Sequence, residues 1–322
     1  HRSPHCTDQV LFEVPNAGLG DVAAAVAAAQ EAGRTWCRTP APIRQELLAR
    51  VTVRLDAAAR ALAEQMAIEI GKPLAQGLEE VHRAVVSVRD VIRRAAAQQT
   101  RTQEAAGTLR RLPLGVVAII TPWNNPLAIA LGKIAPALVY GNTVVWKPAP
   151  AGTRIAQAVL RLLEESGIPH RTVSLLTGNQ TVARQLAACA GVDAVTVTGS
   201  IQTGHAMQDI CATRMVPLQA ELSGNNAAVV WEDADLAHAV EQVTWGAFAF
   251  AGQRCTANRR VIVPAALLQP LMEGFEAAGN RLAWGNPSDR TTVIGPVIHA
   301  AKRDEIAAQV DGIRTSGAAH RV

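Results

Sequence analysis

From Gly115 to Val263 short apolar runs alternate with helix-length stretches, and this alternation limits the possible folds more than any other feature of the chain. Runs at 116–121, 143–147, 172–177, 194–198, 217–221, 227–231 and 260–263 have the length and β-branched content of strands. Between the first five lie helical stretches near 127–139, 153–166, 181–190 and 201–213. A crossover helix must bury its apolar face on the sheet it serves, so the strands are expected to run parallel with helices on both faces. The expected fold class is α/β, a doubly wound parallel sheet. Ligands of such sheets sit beyond the carboxyl ends of the strands.

The region before the alternation reads as helical from Asp21 to about Gln99. Asp21 can cap an alanine-rich helix reaching Trp36, Pro40-Ala41-Pro42 starts another, and Gly71-Lys72-Pro73 punctuates a third. Gly18-Leu19-Gly20-Asp21-Val22-Ala23 matches a loose dinucleotide fingerprint, but no second apolar strand follows at the distance a βαβ unit requires, and a capped helix start explains it. Residues 10–14 form a short apolar segment ended by Pro15. Residues 98–113 are polar, with Gly107 near the middle, and read as an exposed hairpin.

At 322 residues the chain exceeds one typical domain, and 49% hydrophobic content is ample for a core. The formal charge of +4 is spread along the chain rather than gathered in blocks, which argues against nucleic acid or an anionic membrane as a main partner. A charge-free run between Arg111 and Lys133 is interrupted by Pro113, Pro122, Asn124, Asn125 and Pro126, whose polar groups and breaks suit a buried strand, turn and helix better than a membrane span. Five cysteines, Cys6, Cys37, Cys189, Cys211 and Cys255, show neither a metal-ligand spacing nor the even count of a disulfide framework. A reducing cytoplasm is the expected compartment. No signal peptide is visible, and an opening on His1 rather than Met suggests a start upstream.

Among the cysteines, Cys255 stands apart. It follows the apolar, helix-like run Leu236 to Phe250, and Gly252 just before it lets the backbone turn so that main-chain N–H groups can favour thiolate over thiol. Polar Gln253 and Arg254 beside it suit a reactive thiol better than an inert core one. The other four cysteines read as packed thiols.

GQRC at 252–255 and ELSGNN at 221–226, with Glu221 and Cys255 thirty-four positions apart, resemble the aldehyde dehydrogenase superfamily. TPWNNP at 121–126, VVWKPAP at 144–150 and TGSIQTG at 198–204 fit the same family in the same order, and EIGKP at 69–73 resembles a further stretch of it without evident chemistry. The resemblance implies a Rossmann-like cofactor domain at 1–223, an arm at 98–113 that joins subunits into a homodimer or homotetramer, and a second α/β catalytic domain at 224–322. The family's C-terminal Glu-x-Phe-Gly-Pro motif does not occur, so that second domain is expected to be incomplete.

By the same resemblance a small-molecule aldehyde is oxidised to a carboxylic acid. Cys255 is the expected nucleophile, forming a thiohemiacetal and then a thioester. Asn124 and the backbone N–H of Cys255 would hold the oxyanion, although Asn124-Asn125-Pro126 also suits a plain helix-start turn. Glu221 would activate the water that hydrolyses the thioester, which calls for a partly desolvated carboxylate; a strand-end salt bridge is the alternative. NAD or NADP is expected against Ile120, Thr121, Pro122, Trp123, Lys147, Gly199, Ser200, Gly204 and Leu222. Gly199-Ser200 opens a helix whose N–H groups attract phosphate, or else Ser200 is an ordinary cap.

Several positions depart from the common pattern. Pro150 stands where many NAD-preferring members carry a glutamate, which leaves the choice between NAD and NADP open. Ser223 replaces a glycine, and Asn225-Asn226 with AGQRCT resembles the succinylglutamate semialdehyde dehydrogenase branch, a pointer to a semialdehyde bearing a carboxylate. Other readings are a catalytically silent member that binds a dinucleotide, acyl transfer to coenzyme A, which Glu221 opposes, and a cofactor-free cysteine hydrolase, for which His238 is a poor partner.

Overall fold

A computed structural model describes residues 1–98, 101–104 and 106–316. Four helices come first: α1 (Leu19–Trp36), α2 (Ala41–Ala57), α3 (Ala59–Ile70) and α4 (Leu74–Ala97). The chain breaks at Ala58 as well as at the expected Gly71-Lys72-Pro73. Asp21 sits within the first turn of α1, where its carboxylate accepts from the Gly18 N–H at 2.8 Å. The Gly18–Ala23 stretch is therefore the capped opening of a helix and not a phosphate loop, as its alanine-rich sequel implied. The apolar segment at 10–14 forms no strand; Val10 makes one isolated bridge with Arg2.

The hairpin is present as β1 (Arg101–Glu104) and antiparallel β2 (Gly107–Arg110), with Gly107 opening the second strand. Gln99, Thr100 and Ala105 of that stretch lie outside the described residues.

The alternating region follows as β3 (Val116–Thr121), α5 (Ala128–Val139), β4 (Thr143–Pro148), α6 (Thr153–Glu165), β5 (Val173–Leu175), α7 (Gln180–Ala188), β6 (Ala194–Gly199), α8 (Ile201–Arg214) and β7 (Leu218–Leu222). All five strands are parallel, in the order β5-β4-β3-β6-β7. Every residue of β3 and β4 is buried, as expected of central strands covered on both faces. One face packs against α1, α7 and α8 through Val22, Val26, Leu186 and Met207; the other carries α5 and α6 with α2 outside them. The doubly wound sheet read from the sequence is borne out. Strand order reverses between β3 and β6, and crevices for ligands open at such a point.

Beyond the sheet come β8 (Asn226–Val229), α9 (Leu236–Phe248), β9 (Asn258–Ile262), α10 (Ala265–Asn280) and α11 (Ala300–Thr315). β8 and β9 pair in parallel and pack with α9 and α10 around Val230, Val240, Leu271 and Ala278. The chain divides into two compact units. The sheet unit comprises Glu13–Leu62 and Leu78–Ser223, and the second unit His1–Phe12, Ala63–Gly77 and Gly224–Val322. One division falls at Ser223/Gly224, but residues 1–12 and 63–77, which the sequence reading placed with the sheet, group with the second unit. They are far from residue 224 along the chain, and no local pattern marks them as belonging there. Among the described residues no helix is long and apolar enough to cross a membrane.

Candidate active site

In the sheet unit the residues singled out by sequence gather at the carboxyl ends of neighbouring strands. Ile120 is in register with Lys147 on one side and Val197 on the other; Thr121 pairs with Pro148, Thr198 with Glu221, and Gly199 with Leu222. Thr121 accepts through Oγ1 from the Trp146 indole N–H at 2.9 Å, which fixes the end of β3. Pro122, Trp123 and Asn124 follow, half-buried, in the turn into α5. The Asn124 side chain accepts from the Asn125 N–H at 3.0 Å within the turn before α5, but it does not cap that helix, whose N-cap position is Leu127.

Glu80, on α4, was not flagged by sequence. It is 0% exposed, and its Oε1 accepts from the N–H groups of Leu127 at 3.0 Å and Ala128 at 2.9 Å. A carboxylate there satisfies two donors that a helix start leaves open and complements the helix dipole. It anchors the first turn of α5, directly after Asn124.

Lys147 is 5% exposed at the end of β4, and burial pulls its pKa down to about 8. Among the described residues no carboxylate pairs with it. A desolvated ammonium of this kind gains from a polar ligand. Ser200 caps α8, its Oγ accepting from the Thr203 N–H at 3.1 Å, so the ordinary cap is realised at the helix start where a phosphate could also dock. The Leu222 side chain lies against Gly204, where a Cβ would collide with it, and this lets α8 and β7 approach closely. Pro150 is exposed in a short turn after β4.

Glu221 is exposed on β7, the outer strand of the sheet, so the partial desolvation expected of it from the sequence is not found. A strand at the edge has a neighbour on one side alone, and apolar flanking residues cannot reveal that. Its Oε1 accepts from Gln219 Nε2 at 2.8 Å, and Gln219 Oε1 in turn accepts from Lys133 Nζ at 2.7 Å and from Thr196 Oγ1. Lys133 also donates to Thr196 Oγ1 at 2.7 Å. Burial lowers the Lys133 pKa while the charge of Glu221 opposes that shift. Lys133 and Gln219 were not marked by sequence reasoning; the period-2 spacing of Gln219 and Glu221, which puts both on one face of β7, was the available signal.

Cys255 belongs to the second unit and is exposed. The helix-like run before it stops at Phe248, and Phe250, Ala251 and Gly252 follow with φ of 56°, 52° and 65°. Two non-glycine residues in the left-handed region cost on the order of 1–3 kcal/mol each and persist only where the surroundings hold them. Side chains around Cys255 bond the first of these residues and the backbone on either side of the turn. Gln253 donates through Nε2 to the carbonyls of Phe250 (3.2 Å) and Pro296 (3.1 Å) and accepts through Oε1 from the Ile298 N–H (2.9 Å). Arg254 donates to the carbonyls of Trp245 (3.1 Å) and Gly246 (2.8 Å) at the end of α9. Asn226 Nδ2 donates to the carbonyls of Cys255 (2.6 Å) and Ala257 (3.1 Å). Polar residues that the sequence reading took as signs of a reactive thiol thus serve the backbone that presents it.

The model of the aldehyde dehydrogenase family matches residues 1–322. An α-ketoglutaric semialdehyde dehydrogenase of Bacillus subtilis (strain 168) is 33% identical over 98% of this chain and 66% of its own length. An N-succinylglutamate 5-semialdehyde dehydrogenase of Sphingopyxis alaskensis is 34% identical over 87% of this chain and 60% of its own. The crystal structure of an NAD-dependent aldehyde dehydrogenase from Sinorhizobium meliloti superposes with a TM-score of 0.94 at 32% identity, covering 98% of this chain and 64% of that one. The chain therefore spans at most 66% of the length of these relatives.

Proposed function

The chain belongs to the aldehyde dehydrogenase family, and from that premise we propose that it oxidises an aldehyde to a carboxylic acid with NAD or NADP as acceptor. The observation that carries this reading is Cys255, an exposed thiol three residues after a left-handed turn, with the backbone around it bonded by Asn226, Gln253 and Arg254.

Cys255 Sγ, as thiolate, attacks the aldehyde carbon and gives a thiohemiacetal. The Asn124 amide and the Cys255 N–H donate to the oxygen as its charge develops. When bound, the nicotinamide supplies the acceptor for the hydride. Glu221 takes a proton from the water that attacks the remaining thioester, and the acid and the free thiolate are released. Lys147 fits a ribose hydroxyl, because a buried ammonium gains from a polar partner, and the N-terminus of α8 at Gly199-Ser200 fits a phosphate. Ile120, Thr121, Pro122, Trp123, Gly204 and Leu222 complete the cofactor wall. Pro150 in place of a carboxylate removes a repulsion to a 2′-phosphate, so both cofactors are candidates.

A semialdehyde carrying a carboxylate is the substrate class that the Asn225-Asn226 pair and the two semialdehyde-oxidising relatives support. A reducing cytoplasm suits the thiolate, and the hairpin at 98–113 suits a homodimer or homotetramer contact. The exposure of Glu221 favours one second reading, a dinucleotide-binding member without turnover.

One assay separates the two: a panel of aldehydes with and without carboxylates, tested with NAD and NADP, read by reduced cofactor and paired with a cofactor-binding titration. Reduction that disappears in Cys255→Ala supports the oxidation. Binding of cofactor with no Cys255-dependent reduction overturns it. Glu221→Gln should leave a burst of reduced cofactor followed by slow turnover; an unchanged steady rate removes Glu221 as the base.

A further inference from the structure

The stretch EIGKP at 69–73 lies in the same unit as Cys255 and is more deeply buried than its polar residues would lead one to expect. Glu69 is 2% exposed and Lys72 1%. An ammonium that far from water requires compensation. Lys72 Nζ stands 5.0 Å from the centroid of the Phe250 ring, within the range at which a cation is attracted by the face of an aromatic ring. Phe250 is 0% exposed and is the first residue of the left-handed turn. A bulky side chain in that region of backbone space is unusual.

The segment Val293–Ile298 ties the same stretch to the same turn. The Val293 carbonyl accepts from Gln76 Nε2 at 2.7 Å and from the Phe250 N–H at 3.4 Å. Gly71 and Gly295 meet so closely that a Cβ on Gly295 would overlap the Gly71 carbonyl, and one on Gly71 would come within 2.7 Å of the Pro296 ring. From the far side of this segment Gln253 bonds the Pro296 carbonyl and the Ile298 N–H. Phe250 is thus held through its ring by Lys72 and through its backbone by Val293 and Gln253.

We propose that Lys72 is a positioning residue for Cys255: its ammonium, seated on the Phe250 ring, keeps the turn Phe250–Gly252 in its left-handed conformation and so fixes where the thiol is presented. The proposal rests on the reading of Cys255 as nucleophile, but its test uses neither aldehyde nor cofactor, so failure of one is distinguishable from failure of the other.

The test combines backbone hydrogen exchange at Phe250, Gln253 and Ile298 with the rate and pH profile of Cys255 alkylation by iodoacetamide, read by mass spectrometry of the peptide. Lys72→Met keeps length and apolar bulk without the charge. It should speed exchange at the three amides about tenfold or more, and shift the alkylation profile, while exchange in β3 and α9 stays within about twofold. Lys72→Arg, which restores a cation, should return both readouts most of the way. Phe250→Leu should match Lys72→Met, and the double variant should add little to either alone, because both remove one interaction. Turn exchange within about twofold of the parent, an equal rise throughout the unit, or plain additivity of the two substitutions would overturn the proposal. Should Lys72→Met fail to fold, Phe250→Leu alone decides, and an unchanged turn in that variant overturns it.

Discussion

The Gln219 side-chain amide donates to the Glu221 carboxylate at 2.8 Å while its oxygen accepts from Lys133 at 2.7 Å, so one neutral residue orients the carboxylate and links it to a partly buried ammonium. Replacing Gln219 by Leu removes both links without touching Glu221. Under the proposed mechanism the burst of reduced cofactor keeps its size and the steady rate falls roughly tenfold, the scale of one or two lost hydrogen bonds. Pre-steady-state kinetics measures both, and an unaltered steady rate would refute the orienting role.

The depressed pKa of Lys147, about 8 against an ordinary 10.5, makes a statement about stability. Between those values the unfolded chain binds the proton that the folded chain has released, so stability rises with pH across that window. Below about pH 8 the fold carries the cost of a buried charge, on the order of 3 kcal/mol. Lys147→Met is expected to be more stable than the parent at neutral pH by up to about that amount. It should also lose the rise on the alkaline side. Urea unfolding as a function of pH provides the check.

Ala251, at φ 52°, is a position where glycine should be tolerated. A Cβ in the left-handed region costs about 1–2 kcal/mol, and removing it offsets the extra freedom glycine has in the unfolded chain. Ala251→Gly is expected to match or exceed the parent in stability. The same change at exposed Ala277 inside α10 should cost about 1 kcal/mol. Equal losses at both sites would show that Ala251 carries no strain.

Glu80→Ala should destabilise the sheet unit by roughly 2–4 kcal/mol, since it leaves the Leu127 and Ala128 N–H groups without the carboxylate oxygen they share in a buried place. Glu80→Gln retains an acceptor oxygen and should lose about half as much or less. Thermal unfolding with hydrogen exchange at the first turn of α5 distinguishes a local fault from a general one.

Much of the architecture was legible beforehand, and the reason is periodicity. The expected strand at 116–121 coincides with β3, and those at 143–147 and 194–198 fall one residue short of β4 and β6, because mostly apolar, β-branched runs of that length between helical stretches have few other ways to be buried. Helices α5, α6, α7 and α8 likewise fall within two residues of their expected limits. The strand near 172–177 is shorter than expected, at Val173–Leu175, for it lies at an edge of the sheet where pairing is available on one side.

Residue types and spacing by themselves determined the doubly wound sheet, the family, and the placing of Asn124, Lys147, Ser200 and Glu221 at strand ends, since these depend on local pattern and order along the chain. Tertiary structure alone decided that Glu221 is exposed, that Lys133 bonds Gln219 beside it, that Glu80 holds the start of α5, and that Lys72 meets the Phe250 ring in the turn before Cys255. Those outcomes depend on burial and on contacts between distant segments. Lys72 and Phe250 are 178 positions apart, and their meeting is set by how the segments pack together rather than by any pattern within either one.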